Sequence, residues 1–228
     1  MERPNKITAF TAVYTTLDQS PMMVQNFMRF RKLLFIDRLR WDLSPSGEFE
    51  RDDFDHQYAE YAILLYKGWI IGGFRATPMN RPNLSRDVFG HLASERSLPR
   101  SPDHLEISRF GIMTEDDPDL KVAAGMANYA MLFHHATRRG ALGLVALADL
   151  QYERFLRLMR IRTRRYGEPV RHEMGSPNNT IELVLGDIPV GSEAFRLPKK
   201  FAEAQKKMEF HDEISDAHDV RGREAVPA

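Results

Sequence analysis

The chain has no cysteine. Disulfides, thiolate metal sites and a cysteine nucleophile are therefore excluded, and any covalent catalysis would fall to Ser, Lys or a carboxylate. Net charge is also missing: 32 Lys and Arg balance 32 Asp and Glu. No whole-molecule field draws such a chain to nucleic acid or to an anionic membrane. No apolar run reaches the roughly 18 residues that a membrane helix needs. The start, MERPNKITAF, lacks the charged, apolar, small-residue order of a signal peptide, so a cytoplasmic location is expected. No internal repeat or low-complexity linker interrupts residues 1–208, which read as one domain of ordinary globular composition. Residues 209–228 are charged and aperiodic and are expected to form a disordered tail. Of the 32 cationic residues 24 are Arg, the side chain suited to bidentate pairing with carboxylates and phosphates.

Hydrophobic periodicity sets out the elements. TAVYTT (11–16) reads as a short strand and 22–39 as a helix with apolar residues at 23, 27, 30, 34 and 35. YAILLYK and WIIGGFRAT, turning at Gly68, read as an antiparallel hairpin. Residues 78–102, punctuated by prolines, read as loop with one short helix near 84–93. HLEISRFGIM (104–113) is a strand pattern. The clearest helix is 118–140, with Asp116, Asp117 and Asp119 at its start and Arg138, Arg139 and Gly140 at its end. A buried strand (141–148), a helix (150–160) and two late strands complete a mixed sheet with helices on its faces.

One stretch does not look like mere surface helix: RFRKLLFIDRLRWDLSPSGEFERDDFD (29–55). It sets Arg31 and Phe35 one turn apart, then delivers Trp41 and the carboxylates Asp52 and Asp55. That combination suits a pocket for a small ligand bearing both charge and a flat ring. Strand alternation in LEISRF (105–110) points Glu106, Ser108 and Phe110 one way and Arg109 the other. Arg75 ends the neighbouring strand. Three structural ion pairs among Arg31, Arg75, Arg109, Asp52, Asp55 and Glu106 would account for the same residues equally well.

The series Arg31, Phe35, Trp41, Asp52, Asp55, Arg75, Glu106, Ser108, Arg109 and Phe110, in this order and spacing, resembles the acyl-homoserine lactone synthases, the bacterial autoinducer synthases of quorum sensing. The resemblance spans 31–110, with a weaker echo in GLVALADLQYERFLRLMR (143–160). It implies an α/β fold related to the GNAT acyltransferases, a mixed β-sheet flanked by helices in a three-layer sandwich. It implies that the α-amine of S-adenosylmethionine attacks an acyl thioester, after which the methionine carboxylate closes a lactone and expels methylthioadenosine. S-adenosylmethionine is then a substrate, and no cofactor or metal is expected. In that frame Arg31 pairs with the ligand carboxylate, Phe35 and Trp41 give aromatic faces to adenine or sulfonium, Asp52 binds the ammonium, Ser108 hydrogen-bonds the ligand, and Arg109 contacts it or holds the pocket together. Glu106 is the first candidate for general base and Asp52 the second. Asp55 and Arg75 form a structural ion pair. The sequence departs from the family pattern at Leu105, where Trp is usual, and at Pro78-Met79, where Pro-Thr is usual.

For the acyl donor, the place of a GNAT pyrophosphate loop is VAAGMA (122–127), which has Val122 where Arg or Gln leads. That degradation favours an acyl carrier protein over coenzyme A. Arg154, Arg157 and Arg160, with Arg162, Arg164 and Arg165, offer a basic docking patch for an acidic carrier. Some relatives that accept 3-oxo chains place a Thr in the strand that here reads Val145-Ala146-Leu147-Ala148, so an unsubstituted acyl group is expected. His134 and His135 point to different helix faces and read as structural. The sequon NNT (178–180) has no consequence in a cytoplasmic chain. The readings that compete are a GNAT-like N-acyltransferase using acyl-CoA on another amine, for which the Arg31, Phe35 and Trp41 set has no purpose, and a non-catalytic binder of an acyl carrier, which would not need Glu106 and Asp52.

Overall fold

The structure is a computed structural model that describes residues 10–43, 45–114, 117–173 and 180–214. Asp116 and the Asn pair of the sequon therefore lie outside the described residues. The chain begins with strand β1 (Phe10–Thr16) and helix α1 (Pro21–Arg31), and α1 widens into a π-helical segment, Lys32–Arg38. β2 (Glu60–Tyr66) and β3 (Trp69–Pro78) form the hairpin. Lys67 and Gly68 make its turn with φ of 50° and 85°, the left-handed pair that a two-residue hairpin requires. Next come the one-turn α2 (Leu84–Asp87), β4 (His104–Ile112), α3 (Pro118–Arg138), β5 (Gly143–Asp149) and α4 (Leu150–Leu158). β6 (Arg164–Arg165), β7 (Val170–Glu173), β8 (Thr180–Ile188), α5 (Lys199–Gln205) and β9 (Met208–Asp212) complete the order.

The strands form one mixed sheet in the order β6-β8-β5-β4-β3-β2-β1-β9, with β7 also on β8. Buried Tyr14, Leu64, Phe74, Leu105 and Ile107 pack one face against α3, α4 and α5 through Met131, Phe133, Leu156 and Phe201. On the other face Tyr61 and Ile63 meet Val24, Phe27, Phe30 and Phe35 of α1 and its extension. The result is the three-layer α/β/α sandwich. Among the described residues, no helix is long and apolar enough to cross a membrane.

Three elements differ from the sequence reading. Residues 209–212, expected to open the disordered tail, belong to β9, which lies parallel to β1 from Phe10↔Met208 to Tyr14↔Asp212. Met208 is buried and the Phe210 ring stacks on His134 at 3.8 Å, so two alternate apolar side chains dock a segment that its charge disguises. VAAGMA lies within the helix expected over 118–140 and offers no loop at its N-terminus. It sits one turn inside α3, where helical geometry commits its amides to i−4 carbonyls. The N-terminal amides belong instead to Asp119 and Leu120, and the Asp117 side chain accepts from both at 3.0 Å. Finally, β6 and α5 were too short to show a period. His134 and His135 do have structural partners: His134 Nδ1 lies 2.9 Å from the Tyr14 hydroxyl, and His135 Nε2 lies 3.0 Å from Glu60.

Candidate active site

β4 and β5 are parallel neighbours, but their ladder covers only His104↔Gly143 to Glu106↔Val145. Beyond that point the strands part. The gap becomes a cavity of about 780 Å³ that passes through the sheet. At one end Phe35 and Trp41 line it, and at the other Tyr129, Tyr152, Ala146 and Val184. Glu106, Ser108 and Arg109 sit between the ends.

Arg109 reaches the cavity through a local break in strand geometry. β4 bulges opposite Phe74, because the register runs Arg75↔Ser108 and then Gly73↔Gly111. Arg109 takes a left-handed φ of 53°, a strained state for a non-glycine residue that a bulge can hold in place. Alternation predicted Glu106, Ser108 and Phe110 together and Arg109 opposite. The extra residue instead puts Arg109 beside Glu106 and Ser108 and turns Phe110 to the far face, where its ring lies 4.8 Å from Tyr129.

Behind the cavity stands a closed ring of six charges of alternating sign. Arg31 donates to Glu50 and, through both terminal nitrogens, to Asp55 at 2.7 and 3.0 Å. Asp55 lies 3.0 Å from Arg75, which also grips Asp52. Arg109 donates to Asp52 at 2.8 Å and to Glu50 at 3.0 and 2.9 Å. The ring closes through Glu50 on Arg31. Its charges sum to zero, which is how four of its members, Arg31, Glu50, Asp55 and Arg75, stay buried as ions. Burial alone would raise the Asp55 carboxyl, but Arg31 and Arg75 outweigh it and hold the group well below the usual carboxylate range. Glu50 is likewise lowered, burial being overcome by Arg109 and Arg31.

This geometry revises two assignments. Arg31 was expected to pair with a ligand carboxylate, but its side chain is 0% exposed and its guanidinium is taken by Glu50 and Asp55. Asp52 was expected to bind an ammonium or serve as second base. One of its oxygens accepts from Phe54 N and Arg75, the other from Arg75 and Arg109, which fills the four lone-pair sites of a carboxylate. Neither residue lines the cavity. Arg109 does, and its Nη1 has no hydrogen-bond partner among the described residues. Glu50 was missed altogether, although it stands two residues before Asp52 in the same acidic run.

Two buried carboxylates line the cavity, Glu106 and Asp187. Asp187 is paired with Arg96 and Arg164, whereas Glu106 is held by hydroxyls. The Glu106 side chain accepts from Ser85 at 3.3 Å and Ser108 at 3.1 Å, and Ser108 accepts from Arg75 Nε at 3.1 Å. Burial pushes the Glu106 pKa up, against the opposing pull of Arg75 and the two hydroxyls. Such a carboxylate binds a proton more readily than an exposed one, as a general base acting on an amine requires. Phe35 and Trp41 sit with ring centroids 4.7 Å apart. The wide π-helical winding ends with Trp41 N bonded to Phe35 O at 2.9 Å, which folds the indole back over the phenyl. The unusual residues do not line the cavity: Leu105 is in the α3-side core and Met79 in a small cluster with Val145, Tyr166 and Leu185. Arg154, Arg157 and Arg160 are exposed on α4 and its end.

The cavity and the buried carboxylate at the parting of two parallel strands are consistent with the acyltransferase fold that the resemblance implies. Comparison with known proteins names the group. Residues 15–195 match the family model described as Autoinducer synthase. An acyl-homoserine-lactone synthase of Ralstonia solanacearum is 33% identical over 154 residues, 65% of this chain and 75% of that protein. The crystal structure of TofI in a ternary complex with an inhibitor and MTA is 27% identical with a TM-score of 0.64, covering 79% of this chain and 91% of that one. A CoA-dependent acyl-homoserine lactone synthase, BjaI, solved with MTA, shares the fold at 16% identity, with a TM-score of 0.76 over 93% and 98% of the two chains. The chain belongs to the autoinducer synthase family. It is an enzyme of the acyl-homoserine-lactone synthase type.

Proposed function

We propose that this enzyme joins S-adenosylmethionine to the acyl group of an acyl carrier protein and releases an N-acyl-homoserine lactone and methylthioadenosine, with no cofactor. The observation that carries the reading is the cavity itself, which is aromatic and charged at one end, apolar at the other, with Glu106 between. Phe35 and Trp41 take the adenine or sulfonium. The open Nη1 of Arg109 takes the methionine carboxylate. Glu106 removes a proton from the α-ammonium. The freed amine attacks the thioester carbonyl, the C–S bond breaks as the amide forms, and the carrier leaves as its thiol, taking the second amine proton. The ligand carboxylate then attacks its own γ-carbon, and the C–S electron pair departs with methylthioadenosine. The acyl chain lies along Ala146, Tyr129 and Val184, where β5 offers no hydroxyl, in keeping with an unsubstituted chain.

The carrier protein is favoured over coenzyme A by two features. Asp117 already occupies the α3 amides that a diphosphate would use. Exposed arginines on α4 complement an acidic partner. The decisive experiment incubates the enzyme with S-adenosylmethionine and panels of acyl-carrier and acyl-CoA thioesters, with mass spectrometry of the products. Lactone and methylthioadenosine together are expected; neither appearing from a folded protein overturns the proposal. Reversing Arg154 and Arg157 to Glu is expected to raise KM for the acyl carrier at least about tenfold, in a salt-dependent way, while leaving turnover of a small thioester unchanged. Equal loss on both donors would remove α4 from docking.

A further inference from the structure

α2 is four residues long, yet a dense mesh of bonds holds it. Its N-cap Asn83 accepts from Arg86 N at 3.0 Å, and Asn83 N donates to Asp87 at 2.8 Å. Arg86 donates to the carbonyls of Met79 at 2.7 Å and Arg81 at 3.0 Å. Short helices are usually held by an apolar side chain docked in the core. The one buried residue of α2 is Ser85, it is 0% exposed, and its hydroxyl donates to Glu106. The two carboxylate oxygens are thus held from opposite sides, Oε1 by Ser85 on α2 and Oε2 by Ser108 on β4. Because Arg75 Nε occupies an acceptor site on Ser108, the Ser108 proton is turned toward Glu106.

We infer that Ser85 is a positioning residue for the general base: it holds Glu106 in place and stabilises its ionised form against the cost of burial. This rests on the proposal that Glu106 takes the proton of the substrate amine. Other groups face the same carboxylate. Arg75 from β3 and Arg109 from β4 also favour the ionised form, whereas Val145, paired with it on β5, is apolar. Burial raises the pKa of Glu106 and the Ser85 bond opposes that rise. Losing the bond therefore protonates Glu106 at higher pH, and the active, ionised fraction falls first on the acid side.

The test is the pH dependence of kcat in Ser85→Ala, with Ser85→Thr as the variant that keeps a hydroxyl and thermal melting as the check on folding. In Ser85→Ala the acid limb is expected to move up by about one pH unit, a roughly tenfold loss below the limb that fades above it. KM for S-adenosylmethionine should stay close to that of the unaltered enzyme, and Ser85→Thr should return the limb most of the way. A uniform loss at every pH, or an unmoved limb, would make Ser85 a space-filler and overturn the inference. Glu106→Gln separates the two levels. If it keeps normal turnover, the base assignment itself fails; if it is inactive while the Ser85→Ala limb stays put, only the role of Ser85 fails.

Discussion

Glu106→Gln is expected to lower kcat by about 10² to 10⁴, the span that general-base catalysis commonly supplies, with S-adenosylmethionine binding by calorimetry nearly unchanged. The amide matches the carboxylate in shape, keeps an acceptor for one serine hydroxyl, and cannot take a proton at neutral pH. Binding should survive because the contacts proposed for Phe35, Trp41 and Arg109 stay in place. A parallel loss of binding and turnover would show that Glu106 holds the cavity together and does not act on the amine. Asp52→Asn is the useful contrast. Its oxygens are filled by Arg75, Arg109 and Phe54 N, so its loss should appear in stability as well as in rate.

The second large effect concerns the ring behind the cavity. Arg31→Met leaves Glu50 and Asp55 short of their shared partner in the interior, and is expected to cost about 3–5 kcal/mol of folding stability, read from denaturant midpoints. Arg31→Lys should fall in the same direction but less far, since one ammonium cannot replace a fork that spans two carboxylates. In the folded fraction of either variant, KM for S-adenosylmethionine should stay within about a factor of two, because burial keeps Arg31 from the ligand. A large KM effect with unchanged stability would return Arg31 to the binding site. The acid behaviour follows by linkage. Glu50 and Asp55 have folded pKa values below their unfolded ones, so their stabilisation is present above about pH 4 and is lost as pH falls through the folded values. Removing Arg31 weakens that depression, and acid unfolding should begin at higher pH.

Much of this was legible in the residues. Alternation marked β2, β3 and β4, and the Asp117 and Gly140 signals bracketed α3. The family resemblance carried by residues 31–110 gathered the charged and aromatic positions into one site, where spacing alone left structural ion pairs equally good. What spacing cannot give is the side on which each residue ends up. Arg31 and Arg109 are both members of the charge ring, and only three-dimensional burial separates the one sealed inside it from the one that also lines the cavity. The bulge at Arg109 is one inserted residue in a strand, and no sequence period reports it. Ser85 was hidden for a similar reason: a single serine in a proline-bounded loop carries no signal until Glu106 is seen 3.3 Å away. β9 was concealed by its own charge.

The pairing of β9 with β1 also bears on the timing of synthesis. Phe10 waits for Met208, and at ribosomal rates of about 5–20 residues per second that wait is roughly 10–40 s. Throughout it, the outer edge of β1 is an unsatisfied template for any passing strand. The nascent chain is therefore most exposed to misassembly at the sheet edge farthest from the cavity between β4 and β5, and a chaperone that covers the first strand should raise the yield of folded enzyme without touching its activity.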